Sequence, residues 1–147
     1  MKDLEKWVNT LIETNDWGVG MTHGLTYGYD AFRNPQRLWD HLDQVKAREN
    51  EIWVGTFREV VSYIKEREET KLEVVNKKNT LLITPELKLD QELFVEPLTM
   101  VITGKEIKKV TVKQGKRRLP VQITDDKVLF DFDPYGGMIK VTLKIQK

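Results

Sequence analysis

Near residue 70 the spacing of apolar residues switches from every third or fourth position to every second, and one kind of regular element cannot satisfy both periods. Upstream of the switch, Leu4, Trp7, Val8, Leu11 and Ile12 fall on one stripe of a helix, with Lys6, Asn9 and Glu13 facing water. Leu38, Trp39, Leu42 and Val45 form a second stripe, and Val60, Val61 and Ile64 a third. Asn34-Pro35 opens the second helix, because Asn accepts a bond from a free amide and Pro fills a first-turn position that needs no N–H donor. Thr56-Phe-Arg-Glu59 has the capping-box form that opens the third. Two short apolar runs, residues 17–23 and 52–57, lie between these helices and read as buried strands. Helix, strand, helix, strand, helix predicts parallel strands joined by crossover helices. Two such strands do not close a barrel, so residues 1–70 read as a partial (β/α) barrel segment, the terminal strand-helix units of something larger.

Downstream, Ile139, Val141, Leu143 and Ile145 alternate with polar residues. Val128, Phe130 and Phe132 do the same, as do Val121 and Ile123, Val110 and Val112, and Leu98, Met100 and Ile102. Residues 72–75 and 80–83 add two more runs. Turn residues separate them at 76–79, Gly104-Lys105, Gln114-Gly-Lys116, Asp125-Asp126 and Pro134-Tyr-Gly-Gly137. About seven short strands with frequent turns predict a small antiparallel β-sandwich over residues 71–147. The expected fold class is α/β followed by all-β.

Lys and Arg number 24 against 23 Asp and Glu, so no overall field draws the chain to nucleic acid or an anionic membrane. Neither is an expected partner. Residues 1–70 carry 9 basic and 13 acidic side chains and residues 71–147 carry 15 and 10, so the charge changes sign where the period does. Cysteine is absent, which excludes disulfides and thiolate chemistry. No apolar run approaches the roughly 20 residues of a membrane span, and residues 1–15 form an amphipathic acidic helix rather than a signal-peptide core. These features predict a cytoplasmic chain, or a periplasmic or secreted one if a signal peptide precedes it.

The chemistry centres on residues 17–24, Trp-Gly-Val-Gly-Met-Thr-His-Gly, where a strand delivers a histidine to its carboxyl end, the place where α/β sheets bind ligands. His23 is either a hydrogen-bonded structural residue there or a proton-transfer group. His41 is expected to pack beside Trp39 and Leu42 on a helix. Trp7, Trp39 and Trp53 occupy apolar periodic positions and are expected in a core. Trp17 and Tyr27 border the strand and the following aromatic loop, where they line a cleft or pack beneath it. Residues 113–118 form a basic turn, a solvated hairpin tip or a contact for anions.

Taken in order, Trp17-Gly-Val-Gly-Met-Thr-His23-Gly, Phe32, Trp39-Asp-His41-Leu, Glu51-Ile-Trp-Val-Gly-Thr-Phe-Arg-Glu59-Val and Tyr63-Ile64 resemble the carboxyl-terminal part of polysaccharide deacetylases of the NodB type. Pro97-Leu-Thr99, residues 110–114 and Asp133-Pro-Tyr-Gly-Gly137 resemble the small β-domain that follows the barrel in some members. The resemblance implies a distorted (β/α) barrel, a divalent metal such as zinc, and hydrolysis of acetyl groups on sugars or polysaccharides. Met21-Thr-His23 matches the family's Leu-x-His motif with methionine for leucine. His23 would then be the general acid, Met21 would line the acetyl pocket, and Trp17 and Tyr27 would approach the substrate. The family's Asp-Asp, His-x-x-x-His, arginine and Asp-Trp motifs have no match in this chain. His23 and His41 do not reproduce the spacing of a paired metal site. No metal ligand is therefore assigned, and the chain alone is not expected to be catalytic.

Two expectations follow. The chain is the carboxyl-terminal portion of a carbohydrate esterase, with open sheet edges that swapping or a second copy would cover. Alternatively, it is a non-catalytic glycan- or protein-binding or assembly module.

Overall fold

The computed structural model describes residues 4–104, 107–124 and 126–145, and the chain divides into two compact units, Met1–Phe57 and Arg58–Lys147. The predicted turns at Gly104-Lys105 and Asp125-Asp126 lie partly outside these residues, since Lys105 and Asp125 are not among them. No helix among the described residues is long and apolar enough to cross a membrane.

The first unit contains α1 (Leu4–Thr14) and α2 (Gln36–Ala47). α1 ends where Asn15 takes a left-handed φ of 53°, so that Asn15 N–H reaches Ile12 O at 3.4 Å and Asp16 N–H reaches Leu11 O at 3.1 Å. This paired closure satisfies two carbonyls at the end of the helix, and asparagine tolerates the required backbone well. At the start of α2, Pro35 is already helical and Asn34 Oδ1 accepts a bond from Gln36 N–H at 3.0 Å, as the sequence predicts. Arg48, just past α2, donates to Asn9 Oδ1 of α1 and pairs with Glu51 at 3.2 Å.

The two expected parallel strands do not form. Residues 17–23 and 52–56 are irregular and carry no sheet pairing, and Trp17, Val19, Met21, Trp53 and Val54 are exposed. An apolar run becomes a strand only when a neighbour takes up its N–H and C=O groups, and the described residues supply none here. The same lack explains the tryptophans. Trp7, Trp39 and Trp53 are exposed rather than buried, because the helices have no sheet to close against; Val8 and Phe32 are the buried apolar residues of this unit.

α3 (Phe57–Glu69) begins on the last residue of the first unit and otherwise belongs to the second, which continues as β1 (Lys71–Lys77), β2 (Thr80–Glu86), β3 (Leu98–Thr103), β4 (Ile107–Gln114), β5 (Arg117–Leu119), β6 (Gln122–Ile123), β7 (Lys127–Phe132) and β8 (Ile139–Ile145). These strands make two antiparallel sheets, ordered β1-β2-β8-β4-β5 and β3-β7-β6. Every strand expected from alternation is present. β5 is an addition, a three-residue strand paired to β4 through Val112 and Leu119. The inward residues Ile83, Val110, Val112, Leu119, Ile139 and Val141 of the larger sheet meet Leu98, Val128, Phe130 and Phe132 of the smaller in one core. Fully burying side chains of this kind stabilises by about 1.5–3 kcal/mol each. α3 joins this unit through Tyr63, which packs against the same core.

Gln114 fixes the turn between β7 and β8. Its Nε2 donates to Asp133 O at 2.6 Å and Gly137 O at 3.2 Å, and its Oε1 accepts from Asp133 N–H at 3.1 Å. A Cβ at Gly136 would stand 2.6 Å from Gln114 Nε2, so a side chain there would displace the amide that holds the turn.

Candidate functional site

Residues 17–20 pass beside α1. A Cβ on Gly18 would lie 2.3 Å from Leu11 Cδ1 and 2.8 Å from Trp7 Cζ2, and one on Gly20 would lie 3.5 Å from the Trp7 ring. Gly18 is therefore what lets the backbone approach α1 closely, whereas a Cβ on Gly20 would make ordinary contact. Trp17, Val19, Met21 and His23 alternate with these glycines; the first three are 43%, 57% and 78% exposed, and His23 is exposed as well. Gly18 is packed on the helix, Gly20 and Thr22 are exposed, and Trp17, Val19 and Met21 form an open apolar run that leads to the imidazole.

The loop after His23 is tightly folded. Thr22 Oγ1 lies 2.9 Å from Gly24 O and 3.1 Å from Asp30 O, and it accepts a bond from Gly24 N–H at 3.3 Å, which closes the loop on itself. A Cβ on Gly24 would sit 2.3 Å from Tyr27 O, so only glycine fits that turn. Buried Phe32 anchors the far end of the loop. Tyr29 presents its ring edge-on to His23 with centroids 6.1 Å apart. Tyr27 stands 84% exposed on the same loop. His23, Tyr29 and Thr22 are thus brought together, while Met21 and Tyr27 project into solvent.

Trp17 meets Phe57 with ring centroids 5.2 Å apart. The first residue of one irregular segment therefore touches the residue that follows the other, the reverse of what two adjacent parallel strands would bring together. On α2, His41 is half-buried, and its Nδ1 is buried with no hydrogen-bond partner among the described residues.

No group of three or more His, Asp or Glu side chains among the described residues converges to hold a metal ion. The metal implied by the resemblance does not fit the residues described.

The second unit has features that sequence reading passed over. A cleft of about 660 Å³ opens between the sheets, bordered by Thr99, Arg117, Pro120, Gln122, Asp131 and Asp133. Thr99 Oγ1 donates to Asp131 Oδ1 at 2.7 Å on its wall. Alternation shows which strand residues face inward, but not where two sheets part to leave a space. Glu66 of α3 is the other. It is fully buried, its Oε1 accepts from Glu96 N–H at 3.0 Å, and its Oε2 has no hydrogen-bond partner among the described residues. Burial pushes its carboxyl up; the bond from Glu96 N–H opposes this, and the charges of Glu96 and Asp133 add to the rise. Tyr135, whose hydroxyl donates to Leu89 O at 3.3 Å, is pushed up as well, first by burial and then by Glu66, Asp90 and Asp133. The available signal for Glu66 was its place one turn beyond Tyr63 on the inner stripe of the helix.

No protein-family profile, curated protein or solved structure matches this chain.

Proposed function

We propose that this chain is a carboxyl-terminal portion of a polysaccharide deacetylase-like carbohydrate esterase, in which residues 17–23 are an inner barrel strand and His23 is the general acid. The observation that carries this reading is the packing of Gly18 on α1. A barrel strand packs one side on an outer helix and turns the other inward, and the close approach of Gly18 to α1, with Trp17, Val19, Met21 and His23 exposed, supports that division. His23 ends the exposed run, so its imidazole can deliver a proton to the amine or alkoxide that leaves when an acetyl linkage breaks. Met21, two residues earlier on the same side, offers a thioether and methyl group to the acetyl methyl. Trp17 and Tyr27 supply faces against which a sugar ring can lie. The nucleophile-generating base and metal belong to residues not matched in this chain. The reading also requires the Trp17–Phe57 contact to open once neighbouring strands are in place.

The test is acetate release by the native protein, isolated from its source cells with an antibody against the sandwich, acting on an acetylated polysaccharide. His23→Ala should lower turnover by about 10²–10⁴-fold with substrate binding retained, the usual worth of a positioned acid. Unchanged turnover would remove His23 from the reaction.

A second reading, a non-catalytic glycan- or protein-binding module, draws support from the sandwich, which has its own continuous core and an open cleft. A native polypeptide at 17.3 kDa without acetate release would favour it; a much heavier one that releases acetate would favour the esterase.

A further inference from the structure

The outer face of the five-stranded sheet carries its cations in a row. Val110, Val112 and Gln114 of β4 and Ile139 and Val141 of β8 are buried, so the alternating Lys109, Thr111, Lys113, Lys140 and Thr142 stand on the opposite face. Across the strands, Arg118 of β5 lies opposite Lys113, Lys113 opposite Lys140, and Thr111 opposite Thr142. Like charges directly opposite one another weaken a sheet. β4, β5 and β8 contain no acidic residue to offset them, and the ion pairs found among the described residues lie elsewhere. The repulsion in this row is relieved when an anion lies on it.

We propose that this face binds an acidic polysaccharide laid across the strands, with the carboxylates of successive sugars meeting Arg118, Lys113 and Lys140. Neighbouring strands lie about 4.7–4.9 Å apart, close to the length of one sugar unit in an extended chain. Thr111 and Thr142, in the adjacent row, offer hydroxyls to the sugar hydroxyls. On the same face the row continues from Lys140 to Leu82 of β2 and Val75 of β1, and no aromatic side chain stands among the cations to stack a base, which favours the glycan over single-stranded nucleic acid. The net charge of +1 is also too small to draw polyanions indiscriminately, so the effect is local to this face. The proposal does not rest on the role given to His23.

The experiment is isothermal titration of the full chain with sodium polygalacturonate at low salt, beside neutral dextran. Binding is expected for polygalacturonate alone, and it should fade at about 0.5 M NaCl, where exposed charges are screened. The double variant Lys113→Gln/Lys140→Gln should weaken binding by about fivefold or more. Its melting temperature should equal or exceed that of the parent, because a repulsive pair has been removed; lost binding then reports lost recognition rather than a damaged fold. Lys127→Gln, on the smaller sheet, should leave affinity unchanged. Absence of binding, equal affinity for dextran, undiminished binding by the double variant, or tighter binding to phosphatidylserine vesicles or duplex DNA would each overturn the proposal. Loss of turnover in His23→Ala with polygalacturonate affinity intact would separate this surface from the acid function.

Discussion

Among single residues, Glu66 and Gln114 show two outcomes for a polar group inside a β-rich unit. Gln114 satisfies both ends of its amide, and Gln114→Ala would leave Asp133 N–H, Asp133 O and Gly137 O without it. The expected loss is about 1–3 kcal/mol, seen as a lower midpoint in urea unfolding. Glu66 satisfies one oxygen and leaves the other without a hydrogen-bond partner among the described residues. Because burial raises its folded-state pKa above the ordinary 4.5, its neutral form favours folding below that value, and this contribution disappears as pH rises through the higher native value. Glu96 and Asp133 are the charges that reinforce the shift, and Tyr135 is the further titratable group coupled to it. Glu66→Gln keeps a carbonyl acceptor for Glu96 N–H but does not titrate. Melting curves at pH 4.5 and about 8 should therefore diverge between parent and variant on the alkaline side; parallel pH dependence would show that Glu66 is not the group responsible.

For the elements, packing against a partner decides what a periodic pattern becomes. Gly18→Ala places a methyl group where Leu11 and Trp7 now sit, and overpacking of this kind costs about 1–3 kcal/mol. Amide exchange across α1 should accelerate in that variant while β7 and β8 are unaffected; uniform exchange in α1 would show that Gly18 does not seat the helix. The legibility of the sequence follows the same rule. Val128, Phe130 and Phe132 alternate and form β7, because antiparallel neighbours on both sides complete its hydrogen bonds. Residues 17–23 have as strong an apolar signature and remain irregular, because composition encodes the wish to be covered and not the presence of a cover. β5 was unreadable for the opposite reason: a three-residue strand with one inward side chain has no period to detect. Of the candidate site, the loop that follows His23 was legible as a loop, whereas the buried strand expected to carry His23 does not form. The ring of Tyr29 beside His23, the buried carboxyl of Glu66 and the cleft bordered by Arg117 and Asp131 depend on folding, which no spacing rule supplies.

At the scale of the whole molecule, the two units differ in how completely each encloses its own apolar surface. The second has one core shared by both sheets, whereas most large apolar side chains of the first face outward. Hydrogen exchange on the intact chain should accordingly show deep protection in β4, β7 and β8 and rapid exchange over residues 17–33 and 48–56. Equal protection in both regions would mean that something covers the first unit in solution. The chain also changes sheets repeatedly, and β8 takes the central place between β2 and β4 although it follows every other strand in sequence. On the ribosome, the larger sheet must therefore wait with its middle missing until residues 139–145 have emerged, leaving the inner edges of β2 and β4 bare throughout translation. Nascent chains stalled before residue 139 should be protease-sensitive and chaperone-bound, and this unit should acquire its stability in a single late step rather than strand by strand.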